Sequence, residues 1–262
     1  MKSFYFGDAK TPLFGSYYPA RGISSRAVLL CPPIGHEYTR SHRALRNLAN
    51  GLADRGYHAL LFDYRGIGDS QGSVDQVGNM ALWLDDIEIA ARELLDETMA
   101  TQLSAVGLRL GANLLYQATE RLPDLKSLIL WEPYPSGQDF LNNHRRMQAL
   151  MLSVWMQERM ALNTEDIEEI LGYAYPKPLI REIDKMVFDK KNKNLDQHIV
   201  TCCHELALQP PHNDLKVWKT QDVCDWNDQT AMELAWLGAS GVGQILELFE
   251  QRGSLTKRDR DQ

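Results

Sequence analysis

Residues 103–115, LSAVGLRLGANLL, run from an apolar strand through two glycines, Gly107 and Gly111, into the start of a helix. This is the layout of the nucleophile elbow, G-x-S-x-G, in which the middle residue lies on a sharp strand-to-helix turn and the glycines let that turn close against neighbouring backbone. The middle residue here is Arg109. A guanidinium stays protonated and cannot attack a carbonyl group. The stretch therefore predicts the scaffold of an acyl-transfer enzyme without its usual nucleophile.

The segments around this turn alternate between short apolar runs and amphipathic helical patterns. The apolar runs lie at 27–31, 58–63, 103–108 and 125–131, and the helical patterns at 40–55 and 81–97. Short continuous apolar runs are typical of strands buried on both faces. Their alternation with helices predicts βαβ units and an α/β fold with a mostly parallel central sheet flanked by helices. Aromatic-rich residues 3–7 and 13–18 predict an antiparallel strand pair ahead of it.

Residues 137–195 interrupt the alternation, and we predict that they form a helical cap insertion. Its apolar residues recur at helical spacing and include Leu141, Met147, Leu150, Met151, Val154, Trp155, Met156, Ile167, Ile170 and Leu171. Such residues can line an adaptable pocket or simply pack against one another. The core then comprises 1–136 and 196–252, with strand patterns at 199–203 and 215–220 and a last helix at about 229–250. Residues 253–262 are predicted to be a flexible tail.

Composition is that of a soluble globular protein, with 44% hydrophobic and 24% charged residues in 262. The net charge of -7 argues against a general surface for nucleic acid or anionic membranes. The four cysteines lack paired C-x-x-C spacing and the N-terminus lacks a long apolar segment, so we predict a reduced, cytoplasmic protein without a membrane span. No cofactor and no metal ion is predicted. A homo-oligomer stays possible.

Four ordered motifs resemble bacterial α/β-hydrolase-fold proteins, in particular the serine-aminopeptidase-like group that includes the exosortase-associated hydrolases. They are CPPIGHEYTRSHRALR at 31–46, FDYRGIGDS at 62–70, GLRLGA at 107–112 and LWEP at 130–133. The resemblance covers roughly residues 25–150. It implies the α/β-hydrolase fold, with an oxyanion loop at 33–36 completed by the backbone N–H of Leu110. In that group the elbow can itself read G-L-R-L-G-A, so Arg109 is similar to what relatives carry.

The resemblance also implies an Asp after the penultimate strand and a His after the last one. The corresponding regions, 202–205 and 220–228, do not fit this pattern. His36, Ser70 and His204 are weak catalytic candidates, and His212 is a second late histidine. For each of them a structural role is the alternative: a hydrogen bond between loops for His36, a turn for Ser70, and a surface position for the late histidines.

In open α/β sheets, ligands bind beyond the carboxyl ends of the strands. The residues predicted to bind a ligand there are Gly35, His36, Arg109, Leu110 and Glu132. Arg109 has two compatible roles. It can form an ion pair with Glu132, because a buried arginine without a partner would be costly, or it can join the helix N-terminus in binding an anion.

The sequence leaves three functions open. The first is a triad-lacking accessory or anionic-ligand-binding protein in a biosynthetic pathway, related to polysaccharide or lipid as the resemblance suggests. The second is an atypical hydrolase of acyl esters, thioesters or peptides. The third is an interaction scaffold that uses the cap. The corresponding partner is a small anionic or acyl ligand, or another protein, and nucleic acid is not expected.

Overall fold

The computed structural model describes residues 1–154, 163–187, 195–201, 216–222, 226 and 234–258. The strands are β1 (Lys2–Phe6), β2 (Leu13–Tyr18), β3 (Arg26–Cys31), β4 (His58–Phe62), β5 (Gln102–Leu108), β6 (Leu125–Trp131), β7 (Ile167–Ile170), β8 (Tyr173–Pro176), β9 (Asp196–Thr201) and β10 (Lys216–Lys219). The α-helices are α1 (His36–Asp54), α2 (Ala81–Thr98), α3 (Leu110–Ala118), α4 (Gly137–Val154), α5 (Lys177–Asp184) and α6 (Ala239–Arg258). Short 3-10 turns lie at Val74–Gln76 and Thr119–Arg121.

Eight of these strands form the central sheet, in the order β1-β2-β4-β3-β5-β6-β9-β10. β1 and β2 are antiparallel, and β2 is antiparallel to β4. From β4 to β10 all neighbours are parallel. The predicted α/β class, the mostly parallel sheet and the antiparallel pair at its start are confirmed.

The inner parallel strands β3 to β6 are largely apolar because each face of the sheet is covered by helices. Along β3, Leu29 belongs to one hydrophobic cluster, with α2 and α3, while Val28 and Leu30 belong to the other, with α1 and α6. Successive side chains of a strand point to opposite faces, so a strand buried on both faces lacks the alternation of polar and apolar residues that a solvent-exposed face would give. This layering leaves the carboxyl ends of the strands as the edge where loops can build a site.

The segment between β6 and β9 differs from the predicted helical insertion. Helices α4 and α5 are present, but residues 167–176 form an antiparallel hairpin, β7–β8. Leu171 and Gly172 have φ values of 51° and 85°, which end a helix but suit a two-residue hairpin turn. Phe140, Leu179 and Ile183 pack in the same hydrophobic cluster as the sheet. The division into core and cap therefore stays a prediction, and Trp155 and Met156 lie outside the described residues.

Two predicted boundaries also shift. Helix α6 begins at Ala239, later than the predicted start at about residue 229, and continues to Arg258. It runs into the segment predicted to be a flexible tail, and the flexibility of that segment stays a prediction. Helix α1 begins at His36, about one turn before the predicted start at residue 40. This earlier start places residues 36 and 37 in the first turn of a helix at the carboxyl edge of the sheet.

Candidate functional site

Arg109 lies on the sharp turn that joins β5 to α3. Its backbone has φ 54° and ψ −127°, a conformation that L-residues rarely adopt. A Cβ atom on Gly107 would lie 2.5 Å from the Cα of Ala112, and one on Gly111 would lie 2.1 Å from the carbonyl oxygen of Pro32. Both approaches are too close for any side chain, so the turn needs glycine at these two positions, as the sequence predicted.

The guanidinium of Arg109 forms a buried ion pair with Glu37. Nε and Nη2 lie 2.9 and 2.8 Å from the same carboxylate oxygen, Oε1. The two side chains are only 7% and 4% exposed. Burial would raise the pKa of Glu37, but the positive charge and hydrogen bonds of Arg109 outweigh it and hold that pKa below its ordinary value. The pair is therefore ionised and the two charges balance.

The sequence predicted Glu132 as the carboxylate partner, and this assignment is wrong for the direct contact. Glu132 meets Arg109 through its carbonyl oxygen, which accepts from Nη1 at 3.4 Å, while its carboxylate accepts from Thr201 Oγ1 at 3.2 Å. β5 lies between β3 and β6 in the sheet, so carboxylates after either neighbour can approach Arg109. The early start of α1 brings Glu37 to it, and the positive φ of Glu132 (50°) accompanies the contact of that carboxylate with β9.

Two aromatic rings cover the guanidinium. Its central carbon lies 4.0 Å from the ring centre of Tyr134 and 4.7 Å from that of Trp226, both within cation–π range. The Tyr134 hydroxyl also donates to Glu37 Oε1 at 2.8 Å. Asn113, one turn into α3, fixes Tyr134 by bonding both its carbonyl oxygen and its N–H. Arg109 is thus held by Glu37, Tyr134 and Trp226 together.

His144 on α4 joins this cluster. Its ring centre lies 6.1 Å from that of Tyr134. Nδ1 bonds the carbonyl oxygen of Phe140 at 3.0 Å, and because a carbonyl can only accept, Nδ1 carries the proton. Burial lowers the pKa of His144 despite the nearby charge of Glu37, so the ring is neutral near pH 7. In the described part of the chain, the buried atoms His144 Nε2 and Glu37 Oε2 have no hydrogen-bond partner.

The ligand-binding residues predicted from the sequence all follow the carboxyl ends of three adjacent strands, β3, β5 and β6. Gly35 precedes α1 with φ 67°, and a Cβ there would lie 2.5 Å from the Tyr175 hydroxyl. His36 is half-buried in the first turn of α1, and its charge affects the pKa of His144. Leu110 is buried at the start of α3. Its N–H has no partner within the helix, as for the first residues of any helix.

Ser70 lies elsewhere, in the loop after β4. Its hydroxyl donates to the carbonyl oxygen of Asp63 at 2.6 Å and accepts from the N–H of Phe14 at 2.8 Å. These bonds favour the structural reading of Ser70 as a turn residue over a displaced nucleophile. His204 and His212 lie outside the described residues.

Glu37, Tyr134, His144 and Trp226 are the members of the cluster that sequence reasoning missed. Glu37 could have been found, because it follows β3 within a quoted motif and β3 neighbours β5. Tyr134 could have been found in the same way, because it follows β6, the other neighbour of β5. His144 and Trp226 come from segments whose folding no local pattern fixes. The described ranges contain neither a group of three potential metal-binding side chains nor a helix long and apolar enough to cross a membrane.

Comparisons with solved structures show the fold. Est1E from Butyrivibrio proteoclasticus, in a structure with ferulic acid bound, is similar with a TM-score of 0.60 and 15% identity over 82% of this chain and 88% of that one. Alpha/beta hydrolase domain-containing protein 10 from mouse is similar with a TM-score of 0.58 and 14% identity over 98% of this chain and 100% of that one. An alpha-beta serine hydrolase homologue from Coxiella burnetii is 22% identical, with a TM-score of 0.44. That match spans 50% of this chain and 62% of that chain.

Est1E and the mouse protein, with TM-scores of 0.60 and 0.58, confirm the predicted α/β-hydrolase fold. No match was found among curated proteins. The family described as serine aminopeptidase, S33, matches residues 25–192, which is more than half of the chain. The chain therefore belongs to the serine aminopeptidase, S33, family.

Proposed function

We propose that this protein binds a small molecule at the carboxyl edge of its sheet and does not use serine-based acyl transfer there. The observation that carries the proposal is the place of Arg109, on the strand-to-helix turn where a G-x-S-x-G motif holds its nucleophile. Serine catalysis needs an activated hydroxyl with a base in hydrogen-bond reach. Arg109 offers no hydroxyl, and its charge is already balanced by Glu37.

Ligand binding is supported by the convergence of polar groups from three strand ends at this edge. An anion, the ligand class favoured by the sequence, would have to compete with Glu37 for a guanidinium whose faces lie against Tyr134 and Trp226. A neutral ligand meets no such competition. An accessory role in a biosynthetic pathway is our extension of the resemblance to the exosortase-associated group.

Ester turnover and ligand-dependent stability test this proposal together. With purified protein, p-nitrophenyl and acyl-CoA esters should hydrolyse no faster than they do in buffer alone. A metabolite panel should contain compounds that raise the Tm, because a ligand that binds the native state stabilises it by mass action. Arg109→Ala should abolish that shift, while Arg92→Ala, at an exposed ion pair on α2, should preserve it. Wild-type turnover that disappears in Ser70→Ala would refute the proposal.

An atypical hydrolase is the second candidate, and His144 is the observation in its favour. A neutral imidazole with Nδ1 bonded to Phe140 presents an unprotonated Nε2, which is the state a general base needs. N–H groups at the start of α3 could receive a developing oxyanion. This candidate predicts turnover that Ser70→Ala retains and His144→Phe loses. If wild-type protein shows no turnover of any ester or thioester tested, the candidate is excluded for those substrates.

A further inference from the structure

Two buried hydrogen-bond acceptors of the Arg109 cluster lack a partner among the described residues. They are Oε2 of Glu37 and Nε2 of His144. The two residues are 3% and 2% exposed, so bulk water does not solvate these atoms. Leaving a buried acceptor unsatisfied is costly, and each such atom in a folded protein calls for an explanation.

The other atoms of both side chains are fully used, which defines what the free atoms can do. Oε1 of Glu37 accepts from Arg109 Nε, Arg109 Nη2 and the Tyr134 hydroxyl. Nδ1 of His144 donates to the carbonyl oxygen of Phe140. The ionised carboxylate oxygen and the unprotonated ring nitrogen can therefore only accept.

Both atoms belong to one compact cluster organised by Tyr134. The hydroxyl of Tyr134 bonds Glu37, and its ring lies next to the imidazole of His144, with centres 6.1 Å apart. The negative charge of Glu37 also acts on His144, where it opposes the lowering of the pKa by burial. A ligand group that satisfies both acceptors needs two polar hydrogens.

We infer that Glu37 Oε2 and His144 Nε2 form a subsite for the NH2 group of a neutral primary amide. The inference rests on the proposed function, that this cluster binds a small molecule. A hydroxyl has one hydrogen and leaves one acceptor unmatched. An anion would face two acceptors, and an ammonium would add a buried charge to a pair that is already balanced. A primary amide brings two N–H donors and no net charge.

The test uses acetamide as the probe, with N,N-dimethylacetamide and acetate as matched compounds that lack the N–H donors. Binding is followed by NMR through the 15N resonance of His144 Nε2 in the full chain, titrated to the solubility limit. Acetamide should shift that resonance saturably, and the matched compounds should not. His144→Phe keeps a ring against Phe140 and Tyr134 but removes the acceptor. It should weaken acetamide binding, followed by Tm, by roughly tenfold.

Three results would overturn the inference: no saturable shift, equal binding of N,N-dimethylacetamide, or acetamide affinity unchanged in His144→Phe. A crystal structure in acetamide with a single water bridging the two atoms would overturn it as well, because the acceptors would then be satisfied by solvent. Ester turnover measured on the same samples distinguishes a failure of the amide assignment from a failure of the proposed function. If acetamide fails while turnover stays absent and another compound raises the Tm, the proposed function stands and only the amide assignment falls.

Discussion

Arg109 is held by more partners than an exposed arginine would keep. It has a carboxylate at its edge, two aromatic rings near its faces and a carbonyl oxygen at Nη1. Breaking a buried ion pair from one side leaves an uncompensated charge, whereas replacing both partners by apolar residues is often neutral. The same partners that hold the side chain therefore make it hard to change alone.

Substituting Arg109→Ala should lower the free energy of unfolding by about 3–5 kcal/mol, because Glu37 would remain buried with only the Tyr134 hydroxyl as a described partner. The double variant Arg109→Leu with Glu37→Leu should recover most of that loss. Urea denaturation of the three proteins at pH 7 makes the comparison. A single variant within about 1 kcal/mol of wild type would mean that the pair is not buried as described.

His144 should make stability depend on pH between 7 and 5. Its folded-state pKa lies below the unfolded value, so the unfolded chain binds more protons and stability falls as pH falls below about 6.5. His144→Phe should remove this contribution, which is at most about 1.4 kcal/mol per pH unit. His58, whose pKa burial also lowers, stays in both proteins as an internal reference. Equal pH slopes in the two proteins would contradict the neutral, buried state of His144.

At the scale of single residues, the sequence predicts which edge of the sheet carries the site but not every side chain that contacts Arg109. Gly35, His36, Arg109, Leu110 and Glu132 follow strand ends, and strand ends can be recognised from apolar runs. The choice between Glu37 and Glu132 depends on where α1 begins, and Gly35 offers no side-chain capping group to mark that start. His144 comes from a segment that no short-range pattern ties to the sheet.

The unit β5–Arg109–α3 is the element on which the site depends. Its turn closes only because α3 approaches the end of β3 so nearly that Gly111 touches the backbone of Pro32. Any side chain at position 111 would push the helix away from the sheet and move Arg109 relative to Glu37.

Gly111→Ala should therefore destabilise the protein by at least about 2 kcal/mol through overpacking, even though alanine favours a helix. Gly243→Ala is the matched control, since Gly243 is also helical and a Cβ there has nothing within 4 Å. It should stabilise by about 0.5–1 kcal/mol. Thermal denaturation of both variants measures these changes in stability. A Gly111→Ala variant as stable as wild type would show that the close approach of Gly111 to the Pro32 backbone is absent in solution.

Elements with strong periodicity were predictable, and short irregular ones were not. The apolar runs predict β3 to β6, because a strand buried on both faces is apolar along its length. The helical spacing predicts α1 and α2, because a helix buried on one face carries apolar residues at every third or fourth position. For the hairpin β7–β8 the sequence predicts a helix instead, since Ile167, Ile170 and Leu171 also fit helical spacing. Only the paired left-handed residues, Leu171 and Gly172, distinguish the two, and leucine gives no sign of that conformation.

In the whole molecule, the sheet brings together residues that are far apart in the chain. Glu37, Arg109 and Tyr134 follow three different strands, and His144 joins them from α4, whose apolar residues share a core cluster with the sheet. The family and the fold are those of hydrolases, yet fold alone does not fix function. The chemistry has to be argued from the cluster, and the cluster offers a buried ion pair where the motif places a nucleophile.

Covalent labelling by a fluorophosphonate tests this claim most directly, because the reagent modifies activated serines. Intact mass should show no adduct on the native protein under conditions that fully label a known serine hydrolase run in parallel. A stoichiometric adduct on a serine, lost when the protein is unfolded beforehand, would contradict the account and identify a nucleophile elsewhere in the chain.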